Sequence, residues 1–563
     1  MKKVKMKIYP VEPFSSLKDM LYQAVKRTPD KTVFKFKEKK EVREVTFTEF
    51  LESVNGLGTA LSDLGISKTH VAMLGSNSYK WLNVYITVLL SDNVFVPIDK
   101  ELPFGDIINV LNQSDSTVLF YDKRYEKDIK ENIDKLPNIK HFIGLDRTEE
   151  EDKFLVFDAF LEKGKKLVED GNKDFIDLEN DTKALKMIVY TSGTTGMAKG
   201  VMLSEHNLMS CVYWGLRRAT IFTTSLSVLP YNHTYEAVAG FLVAICKNVT
   251  ICINESLKAV LKNLQLYKPD YIYLVPAFTE LFYKKIWAGI EEKGKTKLIK
   301  TAIKVSNALL KVGIDIRRKV FAEIHEQFGG NLREIICGGA PIRPEVGKFF
   351  NDIGVILLNG YGISECSPLV SVNPIYFNDC ATVGFPLECV EIDIAEKDED
   401  GIGEICVKGD IVMMGYYKQP EITQEVLSDD GWFKTGDYGM MNEYGQLIIT
   451  GRKKNLIVLD NGKNIFPEEI ESYIQSIPYV KEVIVYGVKN LDGIEDRIAA
   501  EVFLDAEATA EFDDVLAKLK ADINEKTAEL PTYKKISEIV VRDEEFEKTT
   551  THKIKRSSAI GNK

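Results

Sequence analysis

Several features that would place this 563-residue chain in a special class are missing from it. Its eight cysteines include no CxxC pair, so we expect reduced, scattered thiols and neither a disulfide framework nor a zinc site. The N-terminus, Met1 to Phe14, has a basic start without the apolar stretch of a signal peptide. No apolar run approaches the ~18 residues of a membrane-spanning helix. We therefore predict a cytoplasmic protein.

The chain also has fewer positive than negative side chains. The chain carries 73 Lys and Arg against 84 Asp and Glu, a formal net charge of −11. A protein that coats nucleic acid must neutralise phosphates with clustered Lys and Arg, so this balance argues against a nucleic-acid partner. A local basic site for one phosphorylated ligand stays compatible with the acidic total.

The length and the order of apolar runs predict at least two domains. Short β-rich runs alternate with helix-like segments from about residue 15, which is typical of parallel sheets covered by helices. One such helix is expected to be capped by Thr48 and to be closed by Gly65. We predict an α/β fold in which residues 1–452 form parallel α/β sheets and a small antiparallel β subdomain. Residues 453–563 would form a small, mobile α+β domain.

Five apolar runs end abruptly in small or polar residues, which points to ligand binding. In open α/β sheets, ligands bind outside the carboxyl ends of the strands. We therefore expect the chemistry in the loops that follow these runs. The predicted strands are Met187–Tyr190, Leu226–Leu229, Tyr271–Val275, Glu334–Cys337 and Val355–Leu358.

The loop after the first of these strands has the composition of a phosphate-binding loop. Its glycines allow backbone N–H groups to turn towards an anion, its hydroxyls add donors, and Lys199 adds a charge. It is not a Walker A loop, because Ala198 precedes the lysine and Gly200 follows it. We expect a helix to follow the loop directly. The alternative to a phosphate-binding loop is an ordinary flexible turn rich in Gly, Thr and Ser. The predicted phosphate-binding residues are Thr191, Ser192, Gly193, Thr194, Thr195, Gly196 and Lys199.

With this loop the sequence resembles the adenylate-forming, AMP-binding enzymes, which include acyl-CoA synthetases, luciferases and the adenylation domains of peptide synthetases. The string from Tyr190 to Gly200 is similar to their signature loop, with Ala198 in place of the usual proline. Further motifs in the family's order extend the resemblance to Lys553. It therefore covers essentially the whole chain and is closest to the long-chain fatty acyl-CoA synthetases.

The segment Asn359 to Cys366 resembles the family's adenine and magnesium motif. Read alone, it fails the G-x-S-x-G pattern of a serine hydrolase and could be a plain loop. The resemblance implies that Tyr361 stacks on adenine, that Ser364 meets the α-phosphate and that Glu365 holds Mg²⁺ with Thr191. The implied ATP-binding residues of this segment and of the similar adenine segment before it are Asn359, Gly360, Tyr361, Gly362, Ser364, Gly339, Ala340 and Pro341.

The remaining site residues also rest on the resemblance. It implies that Asp437 binds the ribose, that Arg452 contacts the nucleotide and that Lys454 is the hinge of the small domain. Spacing alone would also fit a surface carboxylate and a solvated basic run. His233 would gate the acyl pocket and orient the carboxylate.

The C-terminal tail carries the implied catalytic lysine, Lys553, which enters the active site during adenylation. Together with His233 and Lys199 it completes the predicted catalytic set. Two departures from the family pattern stand out: His552 occupies a usual glycine position, and Asn464 a position where some relatives carry arginine. Taken alone, the tail could be a solvated basic segment.

These residues lead us to predict an ATP-dependent acyl-CoA synthetase with Mg²⁺ as cofactor and ATP and CoA as co-substrates. It would activate a medium- or long-chain fatty acid as acyl-AMP, release pyrophosphate and transfer the acyl group to CoA. An acyl-carrier-protein ligase or an aryl-acid ligase of the same superfamily is the alternative. A nucleotide-binding regulatory protein without ligase activity is a second one.

Residues 284–319 form a basic segment inside this acidic chain. They contain eleven Lys or Arg and three Asp or Glu. A basic amphipathic helix can lie on an anionic membrane, which would make the protein peripheral to membranes. The alternative is a helix packed on the body with a solvated basic face. The apolar residues expected on one side of this helix are Leu298, Ala302, Val305, Leu309, Val312 and Ile316.

Overall fold

The computed structural model describes Lys2 and residues 4–39, 41–191, 198–460, 463–489, 495–548, 554–556 and 559. Within them, the strands of the large N-terminal part fall into three sheets. In chain order these strands are β1 (Thr32–Glu38), β2 (Glu41–Thr46), β3 (His70–Leu74), β4 (Val94–Ile98), β5 (Ser116–Tyr121), β6 (His141–Gly144), β7 (Phe154–Val156), β8 (Leu185–Thr191), β9 (Lys199–Ser204), β10 (Thr224–Ser227), β11 (Thr250–Ile253), β12 (Tyr271–Leu274), β13 (Glu334–Cys337), β14 (Ile356–Gly362), β15 (Leu369–Val372), β16 (Phe385–Pro386), β17 (Val390–Ala395), β18 (Gly403–Gly409), β19 (Gly415–Tyr416), β20 (Phe433–Met441) and β21 (Leu447–Arg452).

Helices connect and cover these strands. They are α1 (Leu17–Arg27), α2 (Phe47–Asp63), α3 (Tyr79–Leu90), α4 (Phe104–Gln113), α5 (Glu126–Glu131), α6 (Phe157–Glu169), α7 (Glu205–Arg218), α8 (Val243–Cys246), α9 (Val260–Tyr267), α10 (Pro276–Glu292), α11 (Thr296–Lys311), α12 (Arg317–Val320), α13 (Ala322–Gln327), α14 (Pro344–Asp352) and α15 (Pro420–Val426). A π-helix, Tyr235–Leu242, runs directly into α8. Short 3₁₀ turns lie at Lys123–Tyr125, Ile133–Lys135, Leu257–Ala259, Ser364–Cys366, Ile375–Phe377, Lys453–Asn455 and Thr532–Lys534.

The helix predicted to be capped by Thr48 is capped two residues earlier, so the predicted cap is wrong. The N-cap of α2 is Thr46, whose hydroxyl accepts from the Glu49 N–H at 3.2 Å. The Glu49 carboxylate accepts in return from the Thr46 N–H at 2.7 Å. This reciprocal capping box satisfies two N-terminal donors at once, which a cap at Thr48 would not do.

The first sheet holds nine strands in the order β16-β15-β14-β13-β12-β10-β11-β1-β2. Its middle, from β14 to β1, is parallel, and antiparallel strands close both edges. Four of the five strands predicted to end in functional loops, β10, β12, β13 and β14, are adjacent here. Their carboxyl ends therefore meet along one edge of the sheet.

The second sheet holds eight strands in the order β19-β9-β8-β4-β3-β5-β6-β7. The phosphate loop lies here, between β8 and β9, which pair antiparallel with Thr191 opposite Lys199. The prediction that a helix follows this loop directly is wrong. Lys199 begins a strand, because Val201 and Leu203 are fully buried in the sheet, and α7 starts only after Ser204 caps it.

Two smaller units complete the fold. Strands β17, β18, β20 and β21 form an antiparallel sheet at the end of the large part. Beyond Arg452 follow β22 (Ile457–Val458), β23 (Asn464–Ile465), α16 (Pro467–Gln475), β24 (Val480–Lys489), β25 (Glu495–Leu504), α17 (Ala506–Thr509), α18 (Val515–Lys526) and β26 (Ile536–Arg542). The predicted α/β fold with an antiparallel subdomain and a C-terminal α+β domain is confirmed.

The C-terminal unit has its own hydrophobic core. The core residues run from Ile457 to Ile523 and include the buried face of α16, with Ile470 and Ile474. The largest core of the N-terminal part ends at Leu447 among its buried members. The two cores share no residue within the described chain, which agrees with two separately packed bodies.

Candidate active site

A deep cleft of about 2910 Å³ opens at the carboxyl ends of the adjacent parallel strands. Its walls include Pro230 after β10, Pro276 after β12, Gly339 after β13 and Tyr361 in β14. The far wall comes from β20, β21 and the C-terminal unit. This is the place where open α/β sheets bind ligands, because side chains from several strand ends converge there.

Three motifs distant in sequence meet at Asp437 in this cleft. The Tyr361 hydroxyl donates to Oδ2 of Asp437 at 2.6 Å, and Nε of Arg452 lies 2.9 Å from Oδ1. Asp437 and Arg452 are cross-strand partners in β20 and β21. Burial, together with the Asp437 charge, raises the pKa of Tyr361 well above its usual value, so the phenol stays a donor. A buried carboxylate held by one hydrogen bond and one ion pair is a fixed acceptor site.

A second cluster joins Glu365 to Lys199 through a residue that the sequence analysis missed. The Tyr416 hydroxyl donates to Oε1 of Glu365 at 2.9 Å. The Lys199 ammonium lies 5.0 Å from the centre of the Tyr416 ring, within cation–π range. Tyr416 reaches this place because β19 pairs with β9. No local pattern around Tyr416 signals it, since the pairing joins segments more than two hundred residues apart.

Two predicted anion-binding residues lie at the two ends of the phosphate loop. Thr191 and Lys199 face each other across the β8–β9 pair and both line the cleft. Ser192, Gly193, Thr194, Thr195 and Gly196 lie outside the described residues.

The chemistry of this cluster fits a magnesium ion shared with a nucleotide. Mg²⁺ prefers oxygen ligands and is usually held by one or two carboxylates plus substrate phosphates. Glu365 supplies one half-buried carboxylate and Thr191 one hydroxyl on the cleft wall. Within the described ranges, no three His, Cys, Asp or Glu side chains cluster into an all-protein metal site.

His233 lies in the turn after β10 and also lines the cleft. Its carbonyl accepts from the N–H groups of Glu236 and Ala237 at 3.1 and 3.0 Å, at the start of the π-helix. The neighbouring Thr234 hydroxyl lies 3.4 Å from that of Ser364. The turn therefore connects the helix on one side of the cleft with the Glu365 loop on the other.

Apolar residues from α7, the π-helix, α8 and the strands of the first sheet line one part of the cleft, which we call the apolar branch. Gly215 on α7 avoids a close contact here, since a Cβ at this position would come 3.3 Å from the Leu369 side chain. The apolar lining is Cys211, Leu216, Ala219, Ile221, Val228, Ala239, Val243, Tyr273, Ile336 and Leu369. The sequence analysis missed this set, although small residues on one side of α7 were a signal.

The predicted adenine segments border the cleft in different ways. Gly339, Ala340 and Pro341 line it with their exposed faces, and Gly339 has a φ of +86°, which favours glycine. Asn359, Gly360, Gly362 and Ser364 also line it. The Asn359 amide donates to the Cys380 carbonyl at 3.1 Å, so this side chain holds the neighbouring loop.

The linker to the C-terminal unit is held to the large N-terminal part by an ion pair. Nζ of Lys453 lies 2.6 Å from Oε2 of Glu404. Lys454 lines the cleft, and burial, followed by the Arg452 charge, lowers its pKa. Nδ2 of Asn455 donates to Glu468 at 2.5 Å, on the other side of the junction. Within three residues, the contacts of the linker thus change from the large part, at Lys453, to the small part, at Asn455.

Lys553 lies outside the described residues, but both flanks of its segment are placed. Lys548 and Ile554 form an antiparallel bridge, and the Lys555 N–H donates to the Glu547 carbonyl at 2.8 Å. Arg556 forms an ion pair with Glu471 and donates to the Val485 carbonyl at 3.0 Å. Lys548, Ile554, Lys555 and Arg556 line the cleft, so the segment begins and ends at the site.

The fold and this cleft define the class of adenylate-forming enzymes. The comparisons with known proteins agree: residues 21–417 match the family described as AMP-binding enzyme. Residues 454–562 match the AMP-binding enzyme C-terminal domain. The chain belongs to the AMP-binding enzyme family, which confirms the resemblance found in the sequence.

Individual relatives are similar over most of their length. A long-chain-fatty-acid–CoA ligase, FadD15, of Mycobacterium bovis is 29% identical over 471 residues, covering 79% of this chain and 75% of the relative. The chloroplastic long-chain-fatty-acid–[acyl-carrier-protein] ligase AEE15 of Arabidopsis thaliana is 26% identical over 526 residues, covering 79% and 71%. The anthranilate CoA ligase AuaEII, solved with anthranoyl-AMP, superposes with a TM-score of 0.77 at 18% identity, covering 98% of both chains.

Within the described part of the chain, no helix combines the length and apolar composition needed to cross a membrane.

Proposed function

We propose that this protein is an ATP-dependent acyl-CoA synthetase that activates a medium- or long-chain fatty acid. The observation that carries the proposal is a single cleft in which a carboxylate acceptor site, a basic loop and an apolar branch meet. The names of the relatives, which include long-chain-fatty-acid–CoA ligases, support the same substrates.

The nucleotide would lie across the strand ends. Asp437 would accept from the ribose hydroxyls, with Arg452 and Tyr361 holding its two oxygens in place. Tyr361 would present its ring to adenine, next to Gly339, Ala340 and Pro341. In support of these roles, all of these residues border one cavity.

The first step would join the acid to AMP. A carboxylate oxygen of the acid attacks the α-phosphorus of ATP, a P–O bond forms, and the bond to pyrophosphate breaks. Such reactions depend on positioning and on the neutralisation of charge. Lys199, Lys553 and the hydroxyls of Thr191 and Ser364 would meet the phosphate oxygens. A magnesium ion held by Glu365 and Thr191 would add positive charge when bound.

The acyl chain would enter the apolar branch past His233. Each methylene buried there contributes about 0.8 kcal/mol, so a long apolar branch favours a long chain. The charged carboxylate would remain at the branch mouth, near the turn that joins His233 to the Glu365 loop. Attack of the CoA thiol on the acyl carbonyl would then expel AMP.

The test is pyrophosphate release across straight-chain acids from acetate to oleate and an aryl acid, with CoA or an acyl-carrier protein as acceptor. The proposal predicts the highest kcat/KM for a medium- or long-chain acid with CoA. A preference for the aryl acid or for the carrier protein would instead select the first alternative. Absence of acid-dependent pyrophosphate exchange would overturn ligase activity and leave a nucleotide-binding regulatory protein.

A further inference from the structure

Helix α11, inside the basic segment 284–319, is not used by the proposed ligase reaction. It carries Lys297, Lys300, Lys304 and Lys311 and no acidic residue. The structure divides its surface into three sides of different character. The division separates residues that the sequence analysis had placed on one apolar face.

One side of α11 packs on the body of the protein. Ser306 is fully buried, and Ile299, Ala302 and Ile303 pack against the large core. Ala302 therefore belongs to the packed side, whereas the sequence analysis had placed it on one apolar side together with Leu298 and Val305. These contacts hold the helix on the body of the protein, so its other apolar residues are not needed for that packing.

A second side is apolar and faces solvent. Leu298, Val305 and Val312 are 63%, 52% and 72% exposed. They are seven residues apart, nearly two helical turns, so they form one stripe along the helix. Ile314, which is 52% exposed, continues it just beyond the end of α11. Large exposed apolar side chains in such a row indicate an interaction surface.

A third side is basic and runs beside the apolar stripe. Lys297, Lys304 and Lys311 each precede one member of the stripe and share its seven-residue spacing. All three are exposed, and the described chain shows no ion pair for any of them. The nearest basic neighbour with an acidic partner is Lys295, 3.2 Å from Glu323.

We propose that this face of α11 docks on an anionic lipid bilayer. Leu298, Val305 and Val312 would enter the boundary between headgroups and acyl chains, and the three lysines would meet lipid phosphates. An apolar stripe flanked by lysines has the composition of helices that lie in a membrane interface. A second copy of this chain fits less well, because pairing the faces would bring two lysine rows together.

The position of the helix relative to the cleft is compatible with this docking. Helix α10 begins at Pro276, which lines the cleft, and packs against α11. Docking would therefore place a membrane surface beside the helix that borders the proposed acyl-binding site. The docking itself does not depend on the proposed ligase function.

The test is co-sedimentation of the full-length protein with phosphatidylcholine vesicles, with and without phosphatidylglycerol, at low and high salt. One variant carries Leu298→Ser, Val305→Ser and Val312→Ser, and a second carries Lys297→Gln, Lys304→Gln and Lys311→Gln. Matched controls change exposed residues elsewhere: Leu261→Ser, Leu266→Ser and Leu516→Ser in one protein, and Lys173→Gln, Lys183→Gln and Lys520→Gln in another.

We expect binding to the anionic vesicles that weakens with salt and falls about tenfold or more in each α11 variant. The controls should bind within about twofold of the unchanged protein, because a uniform charge or hydrophobicity effect would lower all variants alike. Circular dichroism and ATP-dependent activity in detergent-free buffer should match for all five proteins, since every changed side chain is solvent-exposed.

Three results would overturn the proposal. The first is equal binding to neutral and anionic vesicles at low salt. The second is unchanged vesicle binding in either α11 variant. The third is a dimer in sedimentation velocity that the serine variant alone dissociates, which would make this face an interface between copies of the chain.

Discussion

At the scale of single residues, Asp437 is the group on which the proposed nucleotide site depends most. It is buried, accepts a hydrogen bond from Tyr361 and forms an ion pair with Arg452, so its position is fixed by the protein. Each of its neighbours reaches it from a different strand. A change of charge here acts on the site without removing any packed atom.

We predict that Asp437→Asn raises the KM for ATP by about 10- to 100-fold with a smaller change in kcat. The reason is that hydrogen bonds to a charged group contribute about 1.5–3 kcal/mol. Steady-state pyrophosphate release at varied ATP measures this. Asp393→Asn, an exposed carboxylate in the same antiparallel sheet, is the control. An ATP KM within twofold of the parent for both variants would contradict the ribose role.

A second residue-scale prediction concerns the buried Glu236 in the π-helix. Its carboxylate accepts from the Ser227 hydroxyl at 2.5 Å, and burial raises its pKa to about 8. The folded protein therefore binds this proton more tightly than the unfolded chain, whose glutamate pKa is about 4.3. The contribution of Glu236 to the free energy of unfolding is therefore complete below about pH 4.3, the pKa in the unfolded chain, and is lost as the pH rises towards 8.

We predict that Glu236→Gln gains stability relative to the parent as the pH rises from 5.5 to 7.5. The glutamine keeps the oxygen that Ser227 bonds but cannot ionise. Between these two pH values, the unfolding midpoint of the variant's large domain should rise by a few degrees relative to that of the parent. This corresponds to about 2 kcal/mol in the free energy of unfolding. Calorimetry at both pH values measures it. A difference that stays constant with pH would show that Glu236 ionises normally.

At the scale of elements, α7 decides how much room the apolar branch has. Gly215 lines the cleft, and no side chain of its own fills the space towards Leu369. The neighbouring Cys211 and Leu216 on the same helix also face the branch. A helix that presents a glycine to a cavity gives up some helix propensity, about 1 kcal/mol, for space.

We predict that Gly215→Phe shifts the acid preference towards shorter chains. The kcat/KM for oleate should fall by about 100-fold or more relative to octanoate, because each excluded methylene costs about 0.8 kcal/mol. The ATP KM should stay near the parental value. Gly289→Phe, on α10 where a Cβ meets nothing within 4 Å, is the matched control. An unchanged oleate-to-octanoate ratio would remove Gly215 from the acyl site.

The elements also show where local patterns mislead. The apolar run before the phosphate loop predicts β8 correctly, but the following strand β9 was expected to be a helix. Strand β9 has only six residues, and its apolar and polar residues alternate weakly. Pairing with β8 on one side and β19 on the other therefore decides its conformation. Likewise Thr46 and Thr48 are both good caps, and only the reciprocal bond of Glu49 selects Thr46.

At the scale of the whole molecule, the cleft lies between two separately packed bodies. The C-terminal unit contributes Val485, Gly487, Lys548 and Arg556 to the same cavity as the large sheets. Lys284 of α10 donates to the Val480 carbonyl across the junction at 3.1 Å. Within this arrangement, we propose that residues 453–563 form a domain that turns about Lys454 between the two half-reactions.

We predict that Lys553→Ala loses most acyl-AMP formation yet still converts supplied acyl-AMP and CoA to thioester. The lysine would be needed only in the orientation in which the small domain presents it to the phosphate. Separate assays of pyrophosphate release and of thioester formation measure the two steps. Lys520→Gln, an exposed lysine on α18, serves as the control. Equal losses in both half-reactions would show that the proposed rotation is wrong.

What the sequence determined by itself is the class of fold and the identity of the family. Apolar runs such as Glu334–Cys337 match their strand, because the three apolar residues after Glu334 are all buried and the run ends at two glycines. The motifs around Lys199, Tyr361 and Asp437 were readable because each is compact in sequence. Their order along the chain was enough to identify the family.

The tertiary structure alone decided which of these groups touch. Tyr416 meets Glu365, Arg452 meets Asp437, and Gly215 lies beside Leu369. Each of these pairs joins two different elements of the fold. It also separated the two apolar sides of α11, which share one helical spacing in the sequence. The physical reason is that periodicity records only that a residue is apolar, whereas burial depends on what the rest of the chain places against it.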